Sequence, residues 1–181
     1  MKVFWYLFLL FTVIACYKPL PEPKNSKLPV ISIIGANNFG CFANDLVWKN
    51  DGKRRGPYNS TIKNEIFAVF YLYQKKDNAV LNINGQMTYE NTDQTLNLII
   101  KNKDLLNTGR FNVTELTFTD LITNKRYYLI DSISPPIINI LRLDTTNKVA
   151  SGTFEGTIFT QNKADKMVLR NGRFDVIIKN L

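Results

Sequence analysis

Short segments that alternate apolar and polar residues, separated by tight polar turns, follow one another from residue 39 to the end of the chain. In the clearest of them, residues 94–101, Leu96, Leu98 and Ile100 occupy every second position. Successive side chains of a β-strand point to opposite faces, so this spacing places the three on one face. The pattern predicts an all-β fold, an antiparallel β-sandwich or a flattened up-and-down barrel, built mostly of hairpins.

Turn residues between the apolar segments predict where the hairpins lie. Asn44 and Asp45 interrupt the segment 39–48, so a first hairpin is expected there. Residues 123–125 predict a second hairpin, because apolar segments flank them on both sides. Further strands are predicted at residues 66–73, 81–89, 138–143, 149–159 and 167–178.

Turn-forming and strand-breaking residues predict three other features. The stretch 50–57 contains Asp-Gly and Gly-Pro pairs and is predicted to be a loop. Residues 103–107 are predicted to form one helical turn that ends at Gly109. Pro135 and Pro136 cannot donate to a sheet, so we expect them at an edge or a corner.

The first fifteen residues have the pattern of a secretory signal. Lys2 supplies the positive start, residues 3–14 are apolar, and Ala15 is the small residue expected beside a cleavage site. The apolar stretch is too short to cross the roughly 30 Å hydrocarbon core of a membrane as a helix. Residues 13–16, Val-Ile-Ala-Cys, resemble the lipobox of bacterial lipoproteins. That resemblance implies that Cys16 is the lipid attachment residue and that the protein is anchored to a membrane.

The domain organisation follows from the signal and from the prolines after it. Residues 1–15 are the predicted lipoprotein signal peptide, and residues 16–28 are the lipidated cysteine and a tether with three prolines. At about 3.1 Å per residue, the tether reaches roughly 37 Å. Residues 29–181 are long enough for one all-β domain with its own core.

Composition excludes several kinds of chemistry. The chain has no histidine, which excludes Ser-His-Asp and Cys-His catalytic groups and imidazole zinc sites. With Cys16 lipidated, Cys41 has no partner for a disulfide, and its apolar neighbours predict a buried thiol. The net charge of +8 is scattered over turns and strand ends, which does not indicate a nucleic-acid partner. We expect no cofactor and no metal, since the turn 144–147 lacks the alternating acidic residues of a calcium loop.

Several motifs together resemble one family of envelope proteins. They are Phe-Gly-Cys at 39–41, Thr-Gly-Arg-Phe-Asn-Val at 108–113, Ser-Gly-Thr-Phe-Glu-Gly at 151–156 and Asn-Gly-Arg-Phe-Asp-Val at 171–176. They are similar to small Bacteroidetes lipoproteins classed as a domain of unknown function. The resemblance covers most of residues 35–180 and implies location and fold, without an activity.

Two sets of residues are candidates for function. Trp48, Arg54, Arg55 and Tyr58 belong to a segment whose aromatic rings could stack on sugars and whose guanidinium groups could bind carboxylate or phosphate. The alternative is a solvated hairpin loop with Trp48 in the core. The triplets at 131–133 and 144–146 resemble acceptors for O-glycosylation in Bacteroidetes envelope proteins, which makes Ser132 and Thr145 candidate attachment sites.

We therefore expect a monomeric, lipid-anchored outer-membrane protein that binds a glycan, an envelope polymer or a protein partner. No acidic cluster follows Cys16, and this favours the periplasmic face over the cell surface. One alternative is a histidine-free glycoside hydrolase with two carboxylates about 5–9.5 Å apart. For that alternative, Glu155 and Asp175 are predicted to face each other on the last hairpin, beside Arg173. Another alternative is a lipocalin-like carrier with an apolar cavity.

Overall fold

The computed structural model describes residues 27–55, 60–73 and 78–179, and this part of the chain contains fourteen β-strands and no helix. A helix able to span a membrane is therefore not found among these residues. The predicted signal, Cys16 and most of the tether lie outside the described residues. The strands are β1 (Asn38–Ala43), β2 (Leu46–Lys49), β3 (Asp51–Arg55), β4 (Thr61–Lys63), β5 (Phe67–Tyr73), β6 (Asn78–Tyr89), β7 (Thr92–Asn102), β8 (Gly109–Asn112), β9 (Glu115–Asp120), β10 (Lys125–Tyr127), β11 (Leu129–Ile130), β12 (Ile137–Asp144), β13 (Val149–Phe159) and β14 (Lys166–Ile177).

The strands form two seven-stranded sheets. Sheet A has the order β2-β1-β14-β13-β12-β8, with β11 also paired to β13. Sheet B has the order β10-β9-β7-β6-β3-β4, with β5 also paired to β6. All pairs are antiparallel except β3 with β6. The prediction of an all-β fold built of hairpins is confirmed, and the two separate sheets make it a sandwich.

The core lies between the sheets, where alternate side chains from both meet. The three predicted inward residues of β7, Leu96, Leu98 and Ile100, are fully buried. Gly85 of β6 lets sheet A approach closely, because a Cβ there would lie 2.8 Å from the ring of Phe39. Burial of such side chains contributes about 25 cal/mol per Å² of apolar surface, and this is the main stabilisation of the fold.

Backbone hydrogen bonds join the sheets where the chain passes from one to the other. Between β8 and β9, the amide of Val113 donates to the carbonyl of Pro136, next to β12 of sheet A, and the amide of Thr114 donates to the carbonyl of Ile99 in sheet B. Between β10 and β11, the amide of Tyr128 donates to Phe159. Pro136 stands just before β12, outside the strand, and the expectation of an edge or corner for the two prolines stays a prediction. The two layers are therefore fixed relative to each other by the backbone as well as by the core.

Three local predictions are wrong. The predicted loop 50–57 is a strand over Asp51–Arg55, because Gly52 pairs with Thr88 of β6, and residues 56 and 57 lie outside the described residues. The predicted helical turn at 103–107 is a pair of tight turns. Glu155 and Asp175 do not face each other: Asp175 pairs with Ser151, and Glu155 lies opposite a β-bulge of β14.

Candidate functional site

Residues 29–36, here called the N-terminal strap, lie across the face of sheet A that is turned away from sheet B. Two arginines of that face hold the backbone of the strap. Arg173 donates to the carbonyl of Pro29 at 2.7 Å, and Arg142 donates to the carbonyl of Ile33 at 2.7 Å. Charge-assisted hydrogen bonds of this kind are among the stronger ones in proteins. The strap is therefore part of the folded domain and connects it to the predicted tether.

Asp175 of β14 is the centre of the contact between strap and sheet. Its side chain is 1% exposed, and its carboxylate accepts hydrogen bonds from the hydroxyl of Ser32 and from the amides of Ile34, Gly35 and Ala36. Burial alone raises the pKa of a carboxyl, but these four donors outweigh burial and hold the pKa of Asp175 below its usual range. Asp175 is therefore ionised and serves as an anchor for the strap.

Beside the strap, a groove of about 470 Å³ crosses the same face of sheet A; we call it the outer groove. Sheet register aligns four of its side chains in one row, because Arg173 pairs with Thr153, Thr153 with Asn139, and Asn139 with Arg110. Side chains that lie opposite one another on neighbouring strands are about 5 Å apart. The row therefore presents guanidinium, hydroxyl and amide groups across four strands.

The outer groove also contains one carboxylate and some apolar surface. Glu155 and Asn171 lie at a bulge in the β13–β14 pair, and Ile31 of the strap and Ile137 add apolar atoms. Within the described part of the chain, the side chains of Arg110, Asn139 and Glu155 form no hydrogen bond or ion pair. Their hydrogen-bonding capacity is available to a ligand.

A second cleft, of about 580 Å³, lies where the edges of the two sheets meet, and Asp51 and Glu65 both line it. Burial raises the pKa of Asp51. The amide of Gly52 and the ammonium of Lys49, 3.0 Å away, lower the pKa by more than burial raises it, so the net shift is downward. The Lys179 ammonium, 2.6 Å from Glu65, lowers the pKa of that carboxyl by hydrogen bonding and charge. A glycoside hydrolase needs one carboxyl with a raised pKa as its general acid, and neither residue meets that requirement.

In the predicted ligand-contact segment, Trp48 is buried in the core whereas Arg54 is exposed. Trp48 is 1% exposed, and its ring packs edge-on against Phe39 with centroids 5.4 Å apart. The indole is thus a core group, as in the alternative interpretation, and is not placed to stack on a ligand. Arg54 is exposed on β3, Arg55 ends that strand, and Tyr58 lies outside the described residues. A role for the three in binding stays a prediction.

The other predicted positions are placed as follows. Ser132 and Thr145 are both exposed, as a modification site requires. Cys41 is fully buried, and burial raises the pKa of its thiol to about 12, so it behaves as the apolar core residue that was predicted. Among the described residues, no three Asp, Glu, His or Cys side chains are grouped so that they could hold a metal ion.

Sequence reasoning did not identify the outer groove. Arg110, Asn139 and Thr153 belong to three different strands, and their alignment with Arg173 depends on bulges in β12 and β14. The available signal was the presence of polar residues at outward positions of adjacent strands, and that pattern is also typical of any solvated sheet face. No protein-family model matches the chain, and no match was found among curated proteins or solved structures. The resemblance to envelope lipoproteins stays a prediction.

Proposed function

We propose that this protein is a lipid-anchored component of the bacterial cell envelope that binds an anionic polymer in the outer groove. The observation that carries the proposal is the row from Arg173 to Arg110. The side chains of its last two members, Asn139 and Arg110, form no hydrogen bond or ion pair with other described residues. Guanidinium groups bind carboxylates in a bidentate manner, and the amide and hydroxyl of the same row suit sugar hydroxyls. A polysaccharide that carries carboxylates has both kinds of group.

A binding role fits the geometry better than catalysis. Among the described residues that line the outer groove, Glu155 is the single carboxylate, whereas glycoside hydrolysis needs two. The two carboxylates of the second cleft, Asp51 and Glu65, are both held ionised by lysines. In the interior between the sheets, the ring of Phe39 contacts the rings of both Trp48 and Phe154, as in a filled core, and this argues against a carrier of apolar ligands.

The strap supports the anchored arrangement. In the proposed mature protein, the chain runs from Cys16 through the tether to Pro29, where Arg173 holds it. The outer groove begins at this point, because Arg173 and Ile31 both line it. Lipid attachment would therefore keep the groove within the tether's reach of the membrane, where an envelope polymer is concentrated.

Affinity electrophoresis of the full chain tests the proposed ligand class. Native gels would contain polygalacturonate, a neutral glucan or no polymer. We expect retardation in polygalacturonate, weakened by added salt, and roughly tenfold weaker binding for an Arg110→Ala, Asn139→Ala double variant. Arg126→Ala, which changes an exposed arginine of sheet B, is the matched control. Equal retardation of the double variant and the control would contradict the proposal.

Cell fractionation tests the anchor. We expect the wild-type protein in the membrane fraction and a Cys16→Ser variant to be released from it or retained as an uncleaved precursor. Protease treatment of intact cells, with a lysed control, then distinguishes the two sides of the outer membrane. Digestion only after lysis agrees with the expected periplasmic face, and digestion on intact cells would place the domain on the surface.

A further inference from the structure

The outer face of sheet B differs in chemistry from the outer groove. Three adjacent strands, β5, β6 and β7, supply it, and register places Phe67 beside Asn84, Asn84 beside Asn97, and Val69 beside Asn82. The alternate residues of β5, Ala68 and Phe70, are buried in the core. The face is therefore defined by an aromatic and aliphatic edge next to a cluster of three amides.

The aromatic edge is accessible. Phe67 is 46% exposed and Tyr71 is 42% exposed, and both point to the same face of β5. Four residues of strand separate their Cα atoms by about 13 Å. Large aromatic groups at this exposure on a sheet face provide flat apolar surfaces, and such surfaces recur where proteins bind ligands with one apolar face.

The amide cluster has unused hydrogen-bonding capacity. The side-chain oxygens of Asn82 and Asn97 have no hydrogen-bond partner within the described residues, and the side chain of Asn84 forms no hydrogen bond there either. A buried acceptor without a partner is unfavourable. Rotation of a terminal amide exchanges its oxygen and its nitrogen, so each of these amides can present either an acceptor or a donor to a ligand hydroxyl.

Charge decides the class of ligand. The chain carries +8 overall, yet the row Phe67–Asn84–Asn97–Thr117 is uncharged. The neighbouring rows end at Glu115, which pairs with Ile99, and at Lys101, which lies in the row of Tyr71, and these two charges compensate each other in an ion pair of 2.7 Å. We infer that this face, the amide–aromatic face, binds a neutral polysaccharide. Sugar rings present C–H groups to the aromatic side chains and hydroxyls to the amides. The site is on the opposite side of the sandwich from the outer groove and does not depend on it.

Affinity electrophoresis of the full chain tests this inference, with gels that contain laminarin, mannan or xylan, polygalacturonate, or no polymer. We expect at least one neutral polymer to retard the protein, and we expect the retardation to resist added salt. A Phe67→Ala, Tyr71→Ala variant should bind that polymer about tenfold more weakly. Asn97→Ala, on the central strand, is a second variant, which tests the amides without altering the edge strand.

Leu72→Ala is the matched control, because Leu72 is an exposed residue of the same strand. Circular dichroism checks that each variant is folded. The outer-groove variant Arg110→Ala, Asn139→Ala should bind the neutral polymer like the wild type, so failure of the proposed groove and failure of this face are distinguishable. The inference is overturned if none of the neutral polymers retards the protein, or if folded variants of Phe67, Tyr71 and Asn97 are retarded as strongly as Leu72→Ala.

Discussion

The carboxylate of Asp175 accepts a hydrogen bond from the amide of Gly35 at 2.8 Å, across 140 residues of sequence. Gly35 has a φ of 80°, a conformation that glycine adopts readily, and this turns the strap so that successive amides point at one carboxylate. The first described residues of the chain are thereby fixed to its last strand. The contact also positions Ile31 at the edge of the outer groove.

Replacing Asp175 by Asn should destabilise the domain. The amide keeps the shape of the carboxylate but presents an NH₂ group to backbone donors, so at least one of the four hydrogen bonds is lost and a buried donor is left without a partner. We expect the free energy of unfolding to fall by about 1–3 kcal/mol. Urea denaturation measures it. Glu155→Gln, on the exposed bulge, is the control and should change stability by less than about 0.5 kcal/mol. Equal effects of the two would contradict the role of Asp175.

The same carboxylate predicts how stability depends on pH. The pKa of Asp175 is lower in the folded state than the value of about 3.9 in an unfolded chain, so the unfolded state binds more protons in acid. Its stabilisation is fully present above about pH 5 and is lost as the pH falls through the folded-state pKa. The lowered pKa values of Asp51 and Asp144 act in the same direction.

Urea denaturation of the wild type at pH 6, 4 and 3 should show a progressive loss of stability. The Asp175→Asn variant should lose less over this interval, because it has no carboxyl to protonate at that position. Parallel losses in the two proteins would show that Asp175 is not responsible for the acid sensitivity.

The strands that could be predicted are those whose pattern is local. Leu96, Leu98 and Ile100 alternate without interruption, and Asn44 with Asp45 forms the two-residue turn between β1 and β2. Strand β3 could not be predicted in this way. Gly52 has a φ of 88° and lies so close to β6 that a Cβ would be 1.9 Å from the carbonyl oxygen of Thr88. A long-range pairing thus makes a strand of a segment whose composition is typical of a loop.

The site is less predictable than the fold because it depends on register between distant strands. Thr153 lies between Arg173 and Asn139 only because the bulges in β12 and β14 fall where they do. Glu155 lies opposite a bulge and is four residues along β13 from Ser151, the residue that pairs with Asp175. A shift of one residue exchanges the two faces of a strand, so local patterns alone cannot predict which side chains line the groove.

The two exposed hydroxyls of Ser132 and Thr145 give a prediction about modification. Because their triplets resemble O-glycosylation acceptors, we expect the protein purified from its native host to be heavier than its polypeptide by the mass of one or two glycans. A Ser132→Ala, Thr145→Ala variant should have the polypeptide mass, as measured by mass spectrometry of the intact protein. Ser134→Ala is a matched control. An unmodified wild-type protein would contradict the prediction.

Gly152 provides the sharpest test of the packing in sheet A. A Cβ at this position would lie 2.2 Å from the carbonyl oxygen of Asn139 on β12 and 2.7 Å from the ring of Phe174 on β14. The first of these atoms belongs to the backbone of a paired strand and cannot move without breaking the sheet register. Gly152→Ala should therefore destabilise the domain by at least about 1–3 kcal/mol, the usual cost of overpacking.

Thermal and urea unfolding measure the effect, with Thr153→Ala as the control, since Thr153 is the next residue on the strand and faces outward. The control should lose less than about 1 kcal/mol. Because Asn139 also lines the outer groove, Gly152→Ala should weaken retardation by polygalacturonate as well, even where the variant remains folded. A folded Gly152→Ala protein with unchanged stability would mean that β12 and β13 are not paired in the register described. In that case the alignment of the row from Arg173 to Arg110 would also be wrong.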